Sequence, residues 1–166
     1  MICKDDVILI VQYAEVIIQR MKVVPGGCLY YSSILAAMIK DNTAMQSVLS
    51  VGTLQISDRI IFGHSPIKPL LNSGKNVITQ WDGHAWVTID DWICDLSLFQ
   101  TVFSEKTPHE IKKIVGHMFQ DSPAYLIAQK SRLKDNAVIY SEKEVLDDKH
   151  MNMLITNSSR LGLFEG

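Results

Sequence analysis

The sequence predicts an α+β protein in which N-terminal helices pack on an antiparallel β-sheet. Residues 5–21 repeat apolar side chains at helical spacing, whereas residues 47–96 are rich in β-forming residues interrupted by short turn signals. Helices that precede a run of strands, instead of alternating with strands, are typical of this class. With 47% apolar and 20% charged residues, the whole chain of 166 residues is expected to form one globular domain.

Two helices are expected in the first forty residues. Residues 5–21 carry apolar side chains at three- and four-residue steps, and Asp5 can cap their start. Pro25-Gly26-Gly27 then interrupts regular structure. Cys28–Ile39 contains no Gly or Pro and offers small and apolar packing surface, which predicts a second, largely buried helix with Cys28 in its first turn.

The middle of the chain predicts an antiparallel meander. Ser47–Ile56 reads as a strand with a bulge or bend at Gly52, and the Gly- and Pro-containing residues 57–76 are expected to form a long loop. Turn signals at Asp82-Gly83 and Asp90-Asp91 then separate three further strand segments, which are Val77–Trp81, His84–Ile89 and Trp92–Leu96.

The last third mixes helical and strand signals. Two capping-box patterns predict helices, one from Thr107-Pro108-His109-Glu110 and one from Ser141–Glu144 to about Leu154. Between them, Tyr125–Gln129 and Ala137–Tyr140 are candidate strands. Residues 157–166 are expected to form a loose tail.

Composition restricts the possible partners and location. A formal charge of −2 lacks the basic excess of nucleic-acid-binding proteins. The N-terminal apolar run Val7–Val11 is too short for a secretory signal and follows two acidic residues, and no stretch approaches the roughly 18 apolar residues of a membrane span. Three cysteines without metal-knuckle spacing argue against a disulfide framework. We therefore expect a cytoplasmic protein with neither a nucleic-acid nor a membrane partner.

Cys28 is the candidate nucleophile. A helix N-terminus lowers the pKa of a thiol through its unpaired N–H groups and the helix dipole. Gly26 and Gly27 allow a substrate carbonyl to approach the backbone, where the Cys28 N–H can donate to an oxyanion. The competing interpretation is that Cys28 is a small buried hydrophobe, as most lone cysteines are.

His84 and Asp95 are the candidate base and its orienting group. Alternation places His84, Trp86 and Thr88 on one face of a strand, and pairing around Asp90-Asp91 places Asp95 across from His84 or nearly so. A histidine held in this way can act as general base for a thiol. Otherwise, a lone strand histidine is usually a hydrogen-bonded structural residue.

The motifs resemble the transglutaminase-like branch of the papain-like cysteine enzymes. The resemblance covers about residues 20–100 and includes Gly-Gly-Cys28, the segment Gly83-His84-Ala85-Trp86-Val87, and Trp92-Ile-Cys-Asp95-Leu-Ser, where Ser97 stands at a position that is often Thr. It implies a helix-borne Cys facing His and Asp on neighbouring strands. The order Cys, His, Asp then assigns nucleophile, base and orienting group to Cys28, His84 and Asp95.

The resulting hypothesis is a cysteine-dependent acyl-transfer enzyme. It is expected to hydrolyse a peptide or glutamine-type amide through a thioester, with a peptide or protein amide as substrate and no cofactor. Trp86, Tyr30 and Gly27 are the candidate substrate-binding residues, although aromatic side chains at such positions are more often part of the core.

Other functions remain open at this stage. The acyl group can instead pass to an amine, as in a transglutaminase or acyltransferase, and the same fold can serve as a non-catalytic module that binds a peptide or protein. Cys28, His84, Cys94 and Asp95 are also zinc-compatible ligand types. Strand alternation places Cys94 and Asp95 on opposite faces, so we expect no metal site.

Overall fold

The computed structural model describes residues 1–24, 26–74, 81–120 and 123–165. The helices are α1 (Lys4–Arg20), α2 (Cys28–Asn42), α3 (Lys68–Asn72), α4 (Leu98–Val102), α5 (His109–Met118), α6 (Lys130–Asp135) and α7 (Asp148–Arg160). The strands are β1 (Ser47–Ile56), β2 (Arg59–Phe62), β3 (His84–Ile89), β4 (Trp92–Asp95), β5 (Leu126–Gln129) and β6 (Val138–Leu146). Every helix in these residues is too short or too polar to span a lipid bilayer.

The two expected N-terminal helices are present, and their boundaries have local causes. The Asp6 carboxylate, and not that of Asp5, accepts the backbone N–H of Cys3 at 2.8 Å at the start of α1. Gly26 has φ of +72°, a left-handed conformation that glycine adopts without strain, and Gly27 is the N-cap of α2. The glycine pair therefore reverses the chain and starts α2 at Cys28.

All strand pairs described are antiparallel and form one six-stranded sheet. β6 lies along one edge of β1, so β3 and β2 share the other edge: β3 pairs with the first half of β1 and β2 with its end. β4 and β5 continue the sheet beyond β3. The α+β prediction, with helices and an antiparallel sheet, is confirmed.

The irregularity expected at Gly52 lies in the partner strand. Val51 pairs with Glu144 and Gly52 with Glu142, so the extra residue is Lys143 of β6, whereas β1 keeps a regular register with β3 through Gly52. A Cβ atom at Gly52 would lie 2.0 Å from the carbonyl oxygen of Ser141, so β6 approaches too closely for any other residue.

Helices cover both faces of the sheet. On one face, α1, α2 and α7 pack against residues such as Val51, Val87 and Cys94. On the other face, α4, α5 and α6 pack against Trp86, Ile93 and Tyr140, among others. The N-terminus of α2 lies close to the start of β3. Ser32, one turn after Cys28, donates to the Ala85 carbonyl at 3.2 Å.

The prediction of a long loop over residues 57–76 is wrong in part, because this segment contains a strand and a short helix. β2 extends the sheet after a tight turn in which Ser57 has φ of +55°. α3 follows, and its first turn includes Pro69. The strand expected over Val77–Trp81 falls mostly on residues 75–80, outside the described residues. The Asp90-Asp91 turn joins β3 and β4 as expected, with Asp90 at φ of +50°.

The predictions of two capping boxes and of a loose C-terminal tail are corrected by the structure. Ser141–Glu144 lies inside β6, because pairing with β1 outweighs the local capping signal, and Asp147 caps α7 instead by accepting the His150 N–H. Thr107 does not cap α5 but donates to the Thr101 carbonyl, and α5 begins at His109. The expected loose tail is helical to Arg160, after which Leu163 is buried.

Candidate active site

Cys28 is the first residue of α2 and is 4% exposed. Its thiol points toward the Gly26 carbonyl oxygen, 3.9 Å away. The helical hydrogen bonds begin with the Tyr31 N–H, which donates to the Gly27 carbonyl. The N–H of Cys28 precedes this ladder and has no acceptor among the described residues.

His84 is the first residue of β3 and is completely buried. It pairs with Gly52 on β1, next to the position where Leu54 pairs with Phe62 of β2. Because β2 and β3 meet here along one edge of β1, the Phe62 ring stacks on the imidazole with a centroid distance of 4.1 Å and an interplanar angle of 14°. This stacking fixes the plane of the His84 ring.

Asp95 ends β4 and fixes the other side of the imidazole. Since Val87 pairs with Cys94, Asp95 lies diagonally across from His84 and on the same face, and its Oδ2 is 2.5 Å from His84 Nε2. The same oxygen accepts the Tyr140 hydroxyl at 2.8 Å, and Oδ1 accepts the N–H groups of Ser97 and Leu98 at 3.1 and 3.0 Å. Four donors therefore satisfy a buried carboxylate.

The electrostatics favour a protonated imidazole. Burial alone lowers the pKa of His84, but the charge of Asp95, the hydrogen bond to it and the interaction with Cys28 outweigh burial and raise the pKa to about 10. Nε2 is held by Asp95, whereas Nδ1 is buried without a hydrogen-bond partner among the described residues. Nδ1 is therefore the nitrogen that is free to exchange a proton with the Cys28 thiol.

An open cleft of about 480 Å³ is lined by neighbours of Cys28, His84 and Asp95, although these three residues do not line it themselves. Its lining includes Gly26 and Gly27 before α2, Phe62 stacked on the imidazole, and Ser97, whose N–H donates to Asp95. The cleft therefore reaches the residues that flank the buried Cys28.

The three candidate substrate-binding residues lie in different environments. Gly27 lines the cleft. Tyr30 is buried in the core, where its hydroxyl accepts from Asn157 at 2.7 Å, and Trp86 is 1% exposed with its ring packed edge-on against Tyr140. Neither lines the cleft, whereas Tyr31, adjacent to Tyr30, does. Substrate contact by Trp86 and Tyr30 stays a prediction that this cleft does not support.

Sequence reasoning missed two contributors to the site, Tyr140 and Phe62. Tyr140 comes from β6, 45 residues after Asp95, and Phe62 comes from a segment expected to be loop. Ser97 follows Asp95 by two residues and was identified only through the family pattern. No local signal identifies Tyr140 or Phe62, because both reach the site through pairing with β1.

Cys94 lies apart from this site. It faces the α2 side of the sheet, and burial, followed by the charge of Asp95, raises its pKa to about 12. It is therefore a core residue on the face of β4 opposite Asp95, as strand alternation predicts.

Comparison with known proteins gives a family but no activity. Neither a curated protein nor a solved structure matches the chain. A family model described as "Protein of unknown function (DUF2026)" matches residues 4–160, a range that includes every candidate catalytic residue. The chain therefore belongs to the DUF2026 family.

Proposed function

We propose that this protein is a cysteine-dependent acyl-transfer enzyme that hydrolyses a peptide or glutamine-type amide through a thioester on Cys28. The observation that carries the proposal is the arrangement around His84. Its Nε2 is held by Asp95, its Nδ1 is unpartnered, and its ring interacts with a thiol at a helix N-terminus. An acyl-transfer site requires this combination of nucleophile, base and orienting group.

The chemistry follows from these positions. The Cys28 thiolate attacks the substrate carbonyl carbon, and the carbonyl electron pair moves to oxygen. When the C–N bond breaks, the amine leaves with the proton of His84 Nδ1, and a thioester remains. Water then attacks the thioester while Nδ1 takes its proton. The C–S bond breaks, the acid leaves, and the Cys28 thiolate and the protonated imidazole are regenerated. Asp95 orients the imidazole throughout, and four donors stabilise its negative charge.

Local dipoles support the charged intermediates. The N–H of Cys28, which has no acceptor among the described residues, and the N-terminal dipole of α2 lie where negative charge develops on the thiolate and the carbonyl oxygen. Glycine at position 27 leaves the backbone before Cys28 uncrowded. A Cβ atom at this position would lie 3.0 Å from the Val24 carbonyl oxygen and 3.1 Å from the Tyr31 ring, so a larger residue would crowd the start of α2.

The proposal includes the finer fold relationship. A helix-borne thiol that faces a His and an Asp on neighbouring antiparallel strands is the arrangement implied by the transglutaminase-like branch of papain-like enzymes. The element order from α2 to β4 supports that assignment for this chain.

Thiol labelling tests the nucleophile, provided that the exposed Cys3 is first removed. Cys3 is an exposed free thiol that iodoacetamide will also modify, so the reference protein is Cys3→Ser. In that background we expect mass spectrometry to find Cys28 carboxamidomethylated at pH 6, and Cys28→Ala to lose the adduct. Cys94→Ser is the matched control and should label like the reference, because Cys94 is fully buried.

A peptide mixture tests the reaction. After incubation with Gln-containing peptides and a small primary amine, mass spectrometry separates the outcomes: new peptide termini or deamidated Gln indicate hydrolysis, and amine adducts indicate transfer. We expect hydrolytic products that disappear in Cys28→Ala. Products that persist in Cys28→Ala, or labelling at pH 6 that is no faster than for a simple thiol, would contradict the proposal.

A further inference from the structure

The cleft beside Cys28 combines apolar walls with a polar base. Val24, Ile61, Phe62 and Ile111 contribute apolar walls, and the exposed Val23 lies at its rim. A few polar groups within a mostly apolar concavity are typical of small-molecule and peptide subsites. Glu105 and Lys106, two rim residues of opposite charge, give the opening no net charge.

Most hydroxyl groups around the cleft already have partners. The Tyr31 hydroxyl donates to the Lys22 carbonyl at 3.4 Å, and Thr107 donates to the Thr101 carbonyl at 2.9 Å. Ser104 is within 3.4 Å of the Thr107 hydroxyl. The internal hydrogen bonds of the cleft wall therefore account for these groups.

Ser97 is different. It borders the cleft, is 3% exposed, and its Oγ has no hydrogen-bond partner among the described residues. Its backbone N–H donates to Asp95, which fixes the residue beside the catalytic carboxylate without using the hydroxyl. A buried hydroxyl without a partner is costly in a folded protein, so a ligand that supplies the missing partner is favoured there.

We propose that Ser97 Oγ is a substrate-binding group that hydrogen-bonds the backbone of a peptide, while the apolar walls of the cleft hold a bulky apolar side chain near the scissile amide. The inference rests on the proposed function, because it assigns substrate to the cleft that reaches the residues flanking Cys28. It identifies the substrate class as peptides with a large apolar residue near the bond that is attacked.

Two electrophiles test the inference in the Cys3→Ser background. Acetyl-Phe-Gly-chloromethyl ketone places an apolar side chain and a peptide backbone near the thiol, and acetyl-Gly-Gly-chloromethyl ketone keeps only the backbone. Each forms a Cys28 Sγ–carbon bond and releases chloride. We expect saturable labelling with Phe-Gly at least about tenfold faster than with Gly-Gly, the factor that about 1.4 kcal/mol of apolar burial provides.

Ser97→Ala tests the hydroxyl alone, because it keeps the backbone N–H that Asp95 accepts. Labelling by both peptidyl reagents should slow by about tenfold, the scale of one hydrogen bond, whereas labelling by iodoacetamide stays unchanged. Ser97→Thr should retain most of the peptidyl rate. Ser158→Ala is the matched control, because Ser158 is equally buried but its hydroxyl already donates to the Ile155 carbonyl at 2.7 Å.

Val23→Asp tests the apolar wall without disturbing the core, since Val23 is 70% exposed. The preference for Phe-Gly over Gly-Gly should fall toward unity, whereas Ile8→Asp, an exposed apolar position on α1, should keep it. Equal rates with the two ketones would overturn the apolar assignment, as would a preference that Val23→Asp does not change. A peptidyl rate that Ser97→Ala leaves intact, or a loss shared with iodoacetamide, would overturn the role of Ser97. Cys28 that resists iodoacetamide altogether would instead contradict the proposed function.

Discussion

Two histidine–carboxylate pairs in this molecule have the same local construction. His84 Nε2 contacts Asp95 at 2.5 Å, and His64 Nε2 contacts Glu144 at 3.0 Å. Each carboxylate also accepts backbone N–H groups at the start of a short helix, α4 for Asp95 and α3 for Glu144. Each histidine leaves a buried Nδ1 without a hydrogen-bond partner among the described residues.

The two pairs differ in their surroundings. The side chains of His84 and Asp95 are 1% and 0% exposed, whereas those of His64 and Glu144 are 14% and 16% exposed. Among the described residues, only the His84 pair also interacts with a cysteine and stacks on an aromatic ring. A histidine–carboxylate contact is therefore not sufficient for the proposed chemistry; a thiol beside the free nitrogen and access from a cleft distinguish the His84 pair. The His64 pair anchors the segment before α3 to β6.

The largest expected effect distinguishes the two histidines. In the Cys3→Ser background, His84→Ala should slow iodoacetamide labelling of Cys28 at pH 6 by about 100-fold or more, because the imidazolium that stabilises the thiolate is lost. The pH profile should then approach that of an ordinary thiol, with a midpoint near about 8.5. His64→Ala is the matched control and should keep the original rate and profile. Equal losses of labelling rate in His84→Ala and His64→Ala would contradict the specific role of His84.

Substitution of Asp95 should slow the labelling of Cys28, whereas substitution of Glu144 should not. Asp95→Asn removes the charge that raises the pKa of His84, so labelling at neutral pH should slow by at least about tenfold. Glu144→Gln should leave labelling unchanged and lower the free energy of unfolding by about 1–3 kcal/mol, because the N–H groups of Ile67 and Lys68 lose a charged acceptor. Urea unfolding measures the second effect. A labelling defect in Glu144→Gln would show that the pairs are coupled.

Sequence patterns located the start of α2 and the His84–Asp95 pair of the candidate site because each depends on local spacing. The glycines before Cys28 determine where α2 begins, and strand alternation around the Asp90-Asp91 turn places His84 and Asp95 on one face. These relationships depend on spacing along one segment. They could therefore be predicted without knowledge of any tertiary contact.

The remaining features depend on sheet pairing, which spacing does not encode. Ser141–Glu144 has a capping-box pattern, yet it lies inside β6, which pairs with β1 at eight positions. The same pairing delivers Tyr140 to Asp95. Trp86 shares a face with His84, but α4 and α5 cover that part of the face. Local pattern predicts the face of a strand but not what covers it.

The pH dependence of stability should also separate the pairs. The pKa of His84 rises from 6.5 to about 10 on folding, so the folded protein retains a proton that the unfolded chain releases. The resulting stabilisation is fully present below about pH 6.5 and is lost as pH rises through about 10. Urea unfolding between pH 6 and 10 should show this decline in the reference protein and a shallower one in His84→Gln. His64→Gln should keep the decline, and an unchanged slope in His84→Gln would contradict the assignment.

The smallest expected effect concerns Tyr140, which donates one of the four hydrogen bonds to Asp95. Tyr140→Phe keeps the ring that packs against Trp86, so it should cost about 0.5–1.5 kcal/mol of unfolding free energy and change Cys28 labelling only a few-fold. Tyr125→Phe is the control, because its hydroxyl bonds Glu15 at the surface, and it should stay within about 0.5 kcal/mol of the reference. A complete loss of labelling in Tyr140→Phe would mean that this hydroxyl does more than position Asp95, because the three remaining donors still hold the carboxylate against His84.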